Sequence, residues 1–164
     1  MKKPHFTRRI TVAAAIATTA VTGVAVEAAP AHASTTYWSF KNQYNHNCLT
    51  FSLTTTRVWT SACGNESQQW WDWVPSNISN FSMLKAKGRN LCLRTDHKSA
   101  TNAVWLSSCD KNADGEAFQY QYYTKALVSS PYLDFIAADN NSDAVYSVVN
   151  SSSTSYWDYD THVA

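Results

Sequence analysis

Three observations predict an all-β chain, and within that class a β-trefoil of three repeats of about 40 residues. No long segment beyond residue 33 carries apolar residues at helical spacing. Short runs rich in Val, Leu, Phe, Tyr and Trp alternate instead with Asn, Ser, Asp, Gly and Thr at the spacing of strands and turns. Three stretches also match one another: Leu49, Leu93 and Leu133, then Val58, Val104 and Val145, then Trp70, Phe118 and Trp157 recur every 39 to 48 residues. A propeller needs at least about four blades to close, so three units of about four strands point to a trefoil.

The elements follow in order. Residues 1–33 read as a signal peptide: "MKKPHFTRR" is basic, "ITVAAAIATTAVTGVAV" is apolar but diluted by Thr and Gly, and Ala31-His32-Ala33 supplies a small-x-small cleavage site. The run falls short of about 18 strongly apolar residues with a basic flank, so no membrane span is expected. Residues 34–164 form the domain, with repeats at about 37–75, 80–123 and 125–160. In repeat one the expected strands are "YWSF", "NCLTF" and "RVWTS", followed by the tryptophan-rich "QQWWDW". Repeat two carries "FSMLKA", "NLCLR", "AVWLS" and "AFQYQYY", and repeat three "YLDFI", "AVYSV" and "SYWDY". "VPSNISN" and "NSSSTS" read as short loops.

Charge and cysteine usage narrow the function. Four of the thirteen basic residues and one of the twelve acids lie before residue 34, leaving nine basic against eleven acidic residues, net −2. Without a basic surplus, nucleic acid is not an expected partner. Cys48, Cys63, Cys92 and Cys109 all lie in the exported part, an even count that reads as two disulfides with three pairings open. The spacings of His46 and His97 to these cysteines do not suit zinc. Asp139, Asn141 and Asp143 echo a calcium loop, but Ala144 and Asn150 stand where its Gly and Glu belong, so an Asx-rich turn is expected. No metal or cofactor is expected.

Catalysis finds little support. There is no G-x-S-x-G elbow, three histidines remain after residue 33, and nothing pairs Asp96, Asp110, Asp134 or Asp158 at a working separation. "LKAKGR" puts Lys85, Lys87 and Arg89 on one side by period two, either a contact for anionic polysaccharide or, the favoured reading, a solvated hairpin edge guarded by its charges.

Gln68-Gln69-Trp70, with Glu116-Ala117-Phe118 and Ser155-Tyr156-Trp157 in phase, and "CLT" at Cys48 and "CLR" at Cys92, each followed by a second Cys, resemble the ricin B-type lectin family. The resemblance spans about Tyr37 to Tyr159 and implies a carbohydrate-binding protein without catalysis; the leader and the eroded repeats add the expectation that it is secreted and free-standing, and a monomer is expected. It also implies the pairing Cys48–Cys63 and Cys92–Cys109, with Tyr132 and Asn150 replacing the cysteines of repeat three. A β-trefoil interaction or inhibitor scaffold that has lost its sugar sites is the alternative.

The family pocket uses an Asp after Cys-Leu, residues on the strand before the second Cys, and an amide pair at Gln-x-Trp. Thr50, Arg94 and Asp134 fall at the Asp position, and Ser67-Gln68, Gly115-Glu116 and Thr154-Ser155 at the amide pair. Strand alternation turns Val58, Val104 and Leu106 inward and Trp59, Trp105 and Tyr146 outward. The candidate carbohydrate-binding residues are therefore Asp134, Tyr146, Trp59, Gln68 and Trp105. Repeat three, with Asp134 and Tyr146, ranks first, and repeat one, with Trp59 and Gln68, second. Repeat two is blind unless Asp96 substitutes. Trp70 is expected as a core anchor, although period two then awkwardly puts Asp72 on its side and Trp71 and Trp73 opposite.

Overall fold

The computed structural model describes residues 35–130 and 132–164, so the expected signal peptide lies outside the described residues. Thirteen strands, all paired antiparallel, make up the described chain. Six of them form a barrel: β1 (Thr36–Asn42), β4 (Trp71–Pro75), β5 (Ser82–Ala86), β9 (Ala117–Gln121), β10 (Ala126–Ser129) and β13 (Trp157–Val163). Each pairs with the next in that order, and β13 pairs with β1 along seven residues. A bridge from Ala126 to Tyr156 brings β10 against the start of β13 and closes the ring, which leaves no open sheet edge in the barrel.

Three hairpins cap one end. They are β2 (Cys48–Phe51) with β3 (Val58–Ser61), β6 (Leu91–Arg94) with β8 (Trp105–Ser108), and β11 (Phe135–Ala138) with β12 (Val145–Val148). The short β7 (Thr101–Ala103) precedes β8 and pairs with β12. The hairpins join around an approximate threefold axis through Arg57 and Trp105, Trp59 and Ala144, and Ala103 and Tyr146. Four strands per unit, used three times, make this a β-trefoil.

The core lies where barrel and hairpins meet. Phe40, Leu49, Phe51, Trp71, Leu84, Leu93, Phe118, Leu127, Ile136 and Trp157 are fully buried, each such side chain contributing about 1.5–3 kcal/mol by leaving water. The two disulfides join Cys48 to Cys63 and Cys92 to Cys109, within repeats.

The register moves three expected positions. Leu49 faces Thr60, Leu93 faces Leu106, and the residue in that place in repeat three is Ile136, facing Ser147. Leu133 is instead a turn residue with φ 59°. Phe135, not Tyr132, therefore occupies the first cysteine position, and Ala137, not Asp134, the pocket aspartate position. In repeat one the core anchor is Trp71 rather than Trp70. A one-turn 3₁₀ helix ends at Gln69, Glu116 and Ser155 in the three repeats, and the anchor follows two residues later as Trp71, Phe118 and Trp157. The indole N–H of Trp71 donates to the Leu49 carbonyl at 3.1 Å, as that of Trp157 donates to Ile136 at 2.8 Å. The motif is thus Gln69-Trp70-Trp71, and the awkward partnership of a core Trp with Asp72 disappears. The run Ala126–Ser129, absent from the expected strands, is the barrel strand β10.

Candidate functional site

Alternation on the hairpins turns Val58, Val104, Val145 and Leu106 into the core, and leaves Trp59, Trp105 and Tyr146 partly exposed. Of these three aromatics, Trp105 lines a cleft of about 570 Å³ in repeat two. Three further clefts, of about 310, 240 and 200 Å³, are smaller and lie elsewhere on the surface. The Trp59 ring lies instead beneath the Arg57 guanidinium, 5.1 Å from its centroid, and Arg57 pairs with Asp143 at 2.5 Å.

One wall of the cleft comes from the end of β6 and the loop that follows it, Arg94 to Lys98; Ser107, Asp114, Gly115 and Tyr132 complete the lining. Arg94 occupies the pocket aspartate position of repeat two and faces Trp105 across the hairpin. Its guanidinium donates to Glu116 at 3.2 Å. The Glu116 carboxylate is fully buried and also accepts from the Ser107 hydroxyl and from the Asp110 backbone N–H at 2.7 Å. A buried charge needs such partners. Asp96 lies in the cleft wall with Trp105 and is paired with Lys98 at 3.0 Å.

Gly115 permits a close approach that shapes the wall. Its carbonyl accepts from the Thr95 N–H at 2.9 Å. A Cβ there would stand 2.0 Å from the Thr95 carbonyl oxygen, so no side chain fits while the loop keeps its place.

Beneath the cleft, repeats two and three are tied by His97, held at φ 51°. Its Nδ1 lies 2.7 Å from an Asp134 carboxylate oxygen and its Nε2 2.7 Å from the Ser130 carbonyl. The exposed Tyr132 ring packs edge-on to the imidazole, centroids 5.0 Å apart. Asp134 is 1% exposed, and its second oxygen is buried without a hydrogen-bond partner. It thus supports the cleft from below and is not presented to solvent beside Tyr146, as the repeat-three ranking expected.

The amide position is likewise interior. Gln69, not Gln68, is the buried member. Its side-chain N–H groups donate to Ser61, Thr50 and the Ala62 carbonyl, and its oxygen accepts from Gly64 N–H at 2.9 Å. Gln69, Glu116 and Ser155 share this position at the end of the 3₁₀ turn. Gln69 and Glu116 each hold the loop of the second cysteine to its hairpin.

The cleft thus combines an indole face, two carboxylates (Asp96 and Asp114) and two cationic side chains (Arg94 and Lys98). Trp105 and Asp96 are legible in the sequence, although the family positions rank their repeat last, and Arg94 and Tyr132 stand there only in place of family residues. The Asx-rich turn forms as expected, with Asp139 accepting from Asn140 N–H at 2.8 Å and from Ser142; the Ser142 hydrogen bond chiefly holds its carboxyl below the usual range.

No family model matches the chain, and no curated protein is similar to it in sequence. Among solved structures it is similar to SeviL bound to an asialo-GM1 saccharide, at 9% identity and TM-score 0.62, over 78% of this chain and 98% of that one. It is also similar to the designed threefold symmetric protein ThreeFoil, at 16% identity and TM-score 0.64, over 75% and 96% of the two chains. A third likeness is to a non-toxic homologue of type II RIPs from Momordica charantia (bitter gourd) in complex with α-methyl-D-galactoside. There the identity is 15% and the TM-score 0.60, over 77% of this chain and 48% of that one. At such identities the likeness shows the fold, a β-trefoil.

Proposed function

We propose that this chain is a secreted, non-catalytic carbohydrate-binding protein of ricin B-like character, and that the repeat-two cleft is its principal site. The observation that carries the reading is the meeting of the Trp105 ring with Asp96, Asp114 and Arg94 around one open cleft. A sugar needs an aromatic face for its apolar side and fixed polar groups for its hydroxyls. Trp105 supplies the stacking surface, Asp96 and Asp114 accept from hydroxyls, and Arg94 donates to ring or hydroxyl oxygens. His97 and Asp134 hold the loop in place and act through it. Trp59 and Tyr146, at the equivalent places in repeats one and three, form weaker secondary sites. The degenerate family positions Thr50, Arg94 and Ala137 argue for a specificity different from that of intact repeats.

Binding of residues 34–164 to an array of glycans and of plant and microbial polysaccharides tests this. Trp105→Ala is expected to weaken the strongest interaction on the order of tenfold or more, as loss of a stacking aromatic does, with thermal stability little changed because the ring is partly exposed. An array on which nothing binds, or binding indifferent to Trp105→Ala, overturns the reading. The second reading is an interaction scaffold, favoured by Tyr122 and Tyr123, which are 62% and 100% exposed. Retention of a protein partner with no glycan binding would select it.

A further inference from the structure

Lys85, Lys87 and Arg89 have no place in the cleft at Trp105, and the fold removes the simplest explanation for them. On a hairpin edge, charges would guard against unwanted pairing. β5 is no edge: Lys85 faces Asp72 of β4 on one side and Cys92 of β6 on the other, and Lys87 and Arg89 lie in the turn that follows, beyond any strand edge. The three cations line a separate cleft of about 240 Å³ with Tyr37, Asp72 and Asn90. Three positive charges and one carboxylate thus share a small concavity on a domain whose net charge is −2.

Lys87 and Arg89 are held rather than free. The Lys87 ammonium stands 3.8 Å from the Trp70 ring centroid and 4.6 Å from that of Tyr37, while His162 stacks on Trp70 at 4.6 Å. Arg89 donates through Nη1 to the Ser52 and Thr55 carbonyls, bonds that do not use its Nη2 and Nε N–H groups. Gly88, at φ 72°, makes the turn between them. None of the three joins the ion pairs formed among the described residues. Asp72, facing Lys85, offsets part of this charge and leaves the cleft with an excess of cations; like charges placed together are costly until an anion joins them, and a placed ammonium loses less freedom on binding one.

We infer that this cleft is a second binding site, for an anionic group, a sulfate ester or a carboxylate, carried by a saccharide chain. The saccharide part rests on the function proposed above; the anion part rests on the cleft alone. Lys85 and Lys87 provide point charges, and Arg89 and Asn90 donate hydrogen bonds to the anion's oxygens. Asp72 opposes it, which favours ligands whose charge sits on the Lys87 side.

The test uses residues 34–164 with immobilised dextran sulfate, polygalacturonate and unsubstituted dextran, and with inorganic sulfate followed by backbone amide shifts. Expected are tighter binding to one or both charged polymers than to dextran, and sulfate-induced shifts centred on residues 85–90. The double variant Lys85→Gln with Lys87→Gln should weaken charged-polymer binding on the order of tenfold or more. Asp72→Asn should strengthen it, a gain that no loss of folding could mimic. Lys111→Gln, an exposed lysine remote in sequence, should change neither. Equal binding to charged and unsubstituted dextran, a double variant that binds as well as the parent, or Lys111→Gln as damaging as the double variant would each overturn the inference. Trp105→Ala separates the two sites. If it abolishes neutral-glycan binding and spares the charge-dependent part, both readings stand. If nothing neutral binds but the charge-dependent part persists and follows Lys85 and Lys87, the Trp105 reading fails and the anion site stands.

Discussion

The indole N–H of Trp71 donates to the Leu49 carbonyl inside the barrel, whereas that of its neighbour Trp70 is buried without a partner, its ring between Lys87 and His162. The two residues should therefore respond very differently to truncation. Trp71→Ala empties a fully buried site and is expected to cost about 3–5 kcal/mol. Trp70→Ala, at a partly exposed position, should cost less than half as much, and Trp70→Phe should be nearly neutral because it removes an unsatisfied donor. Urea unfolding of the three variants checks this, and the reverse order would restore Trp70 as the anchor. The sequence reading puts the anchor at Trp70, but Gln68, Gln69, Trp70 and Trp71 satisfy Gln-x-Trp in two frames. The length of the preceding 3₁₀ turn chooses between them, by burying Gln69 against Ser61 and Ala62. Composition does not report where a turn ends.

At the scale of elements, the loops around β6 and β8 build the cleft, and Gly115 is their tightest joint. Gly115→Ala would drive a methyl into the Thr95 carbonyl and break the hydrogen bond from Thr95 N–H. The expected outcome is a loss of about 1–3 kcal/mol in thermal unfolding, together with weaker glycan binding, because Asp96 and Arg94 flank the displaced segment. Strand alternation was enough to turn Trp59, Trp105 and Tyr146 outward, since a strand's side chains must point to opposite faces. It could not supply the frame of repeat three. Leu133 and Ile136 are three residues apart and either could be the core aliphatic of the hairpin. Pairing of Phe135 with Val148 selects Ile136 and puts Asp134 under the cleft against His97. β10 is not legible in the sequence for a related reason: its four residues are all buried, so it shows no alternation.

Across the whole molecule, closure of the barrel by β10 and β13 lets the Tyr120 side chain of β9 reach the start of β13, where its hydroxyl donates to the Trp157 carbonyl at 2.7 Å. Burial, with the nearby Asp158 charge adding to it, pushes the Tyr120 phenol up to about 12. Because the folded value exceeds the unfolded one of about 10, the folded state keeps this proton longer. The resulting stabilisation is complete below about pH 10 and is lost as pH rises through about 12. Tyr120→Phe should cost about 1 kcal/mol at pH 8 and flatten this part of the alkaline loss, as denaturant titrations at a series of pH values would record. What the sequence by itself determined is the strand-rich character, the threefold repetition and the outward aromatics, since these follow from local periodicity and from a unit written three times. The resemblance added the disulfide partners. Only the tertiary structure decided which repeat opens a cleft, that Asp134 is a support, and that Lys85, Lys87 and Arg89 share a hollow. Those facts depend on hydrogen-bond register and on contacts between residues far apart in the chain, and a shift of one to three residues exchanges buried and exposed faces without altering the pattern that predicts the fold.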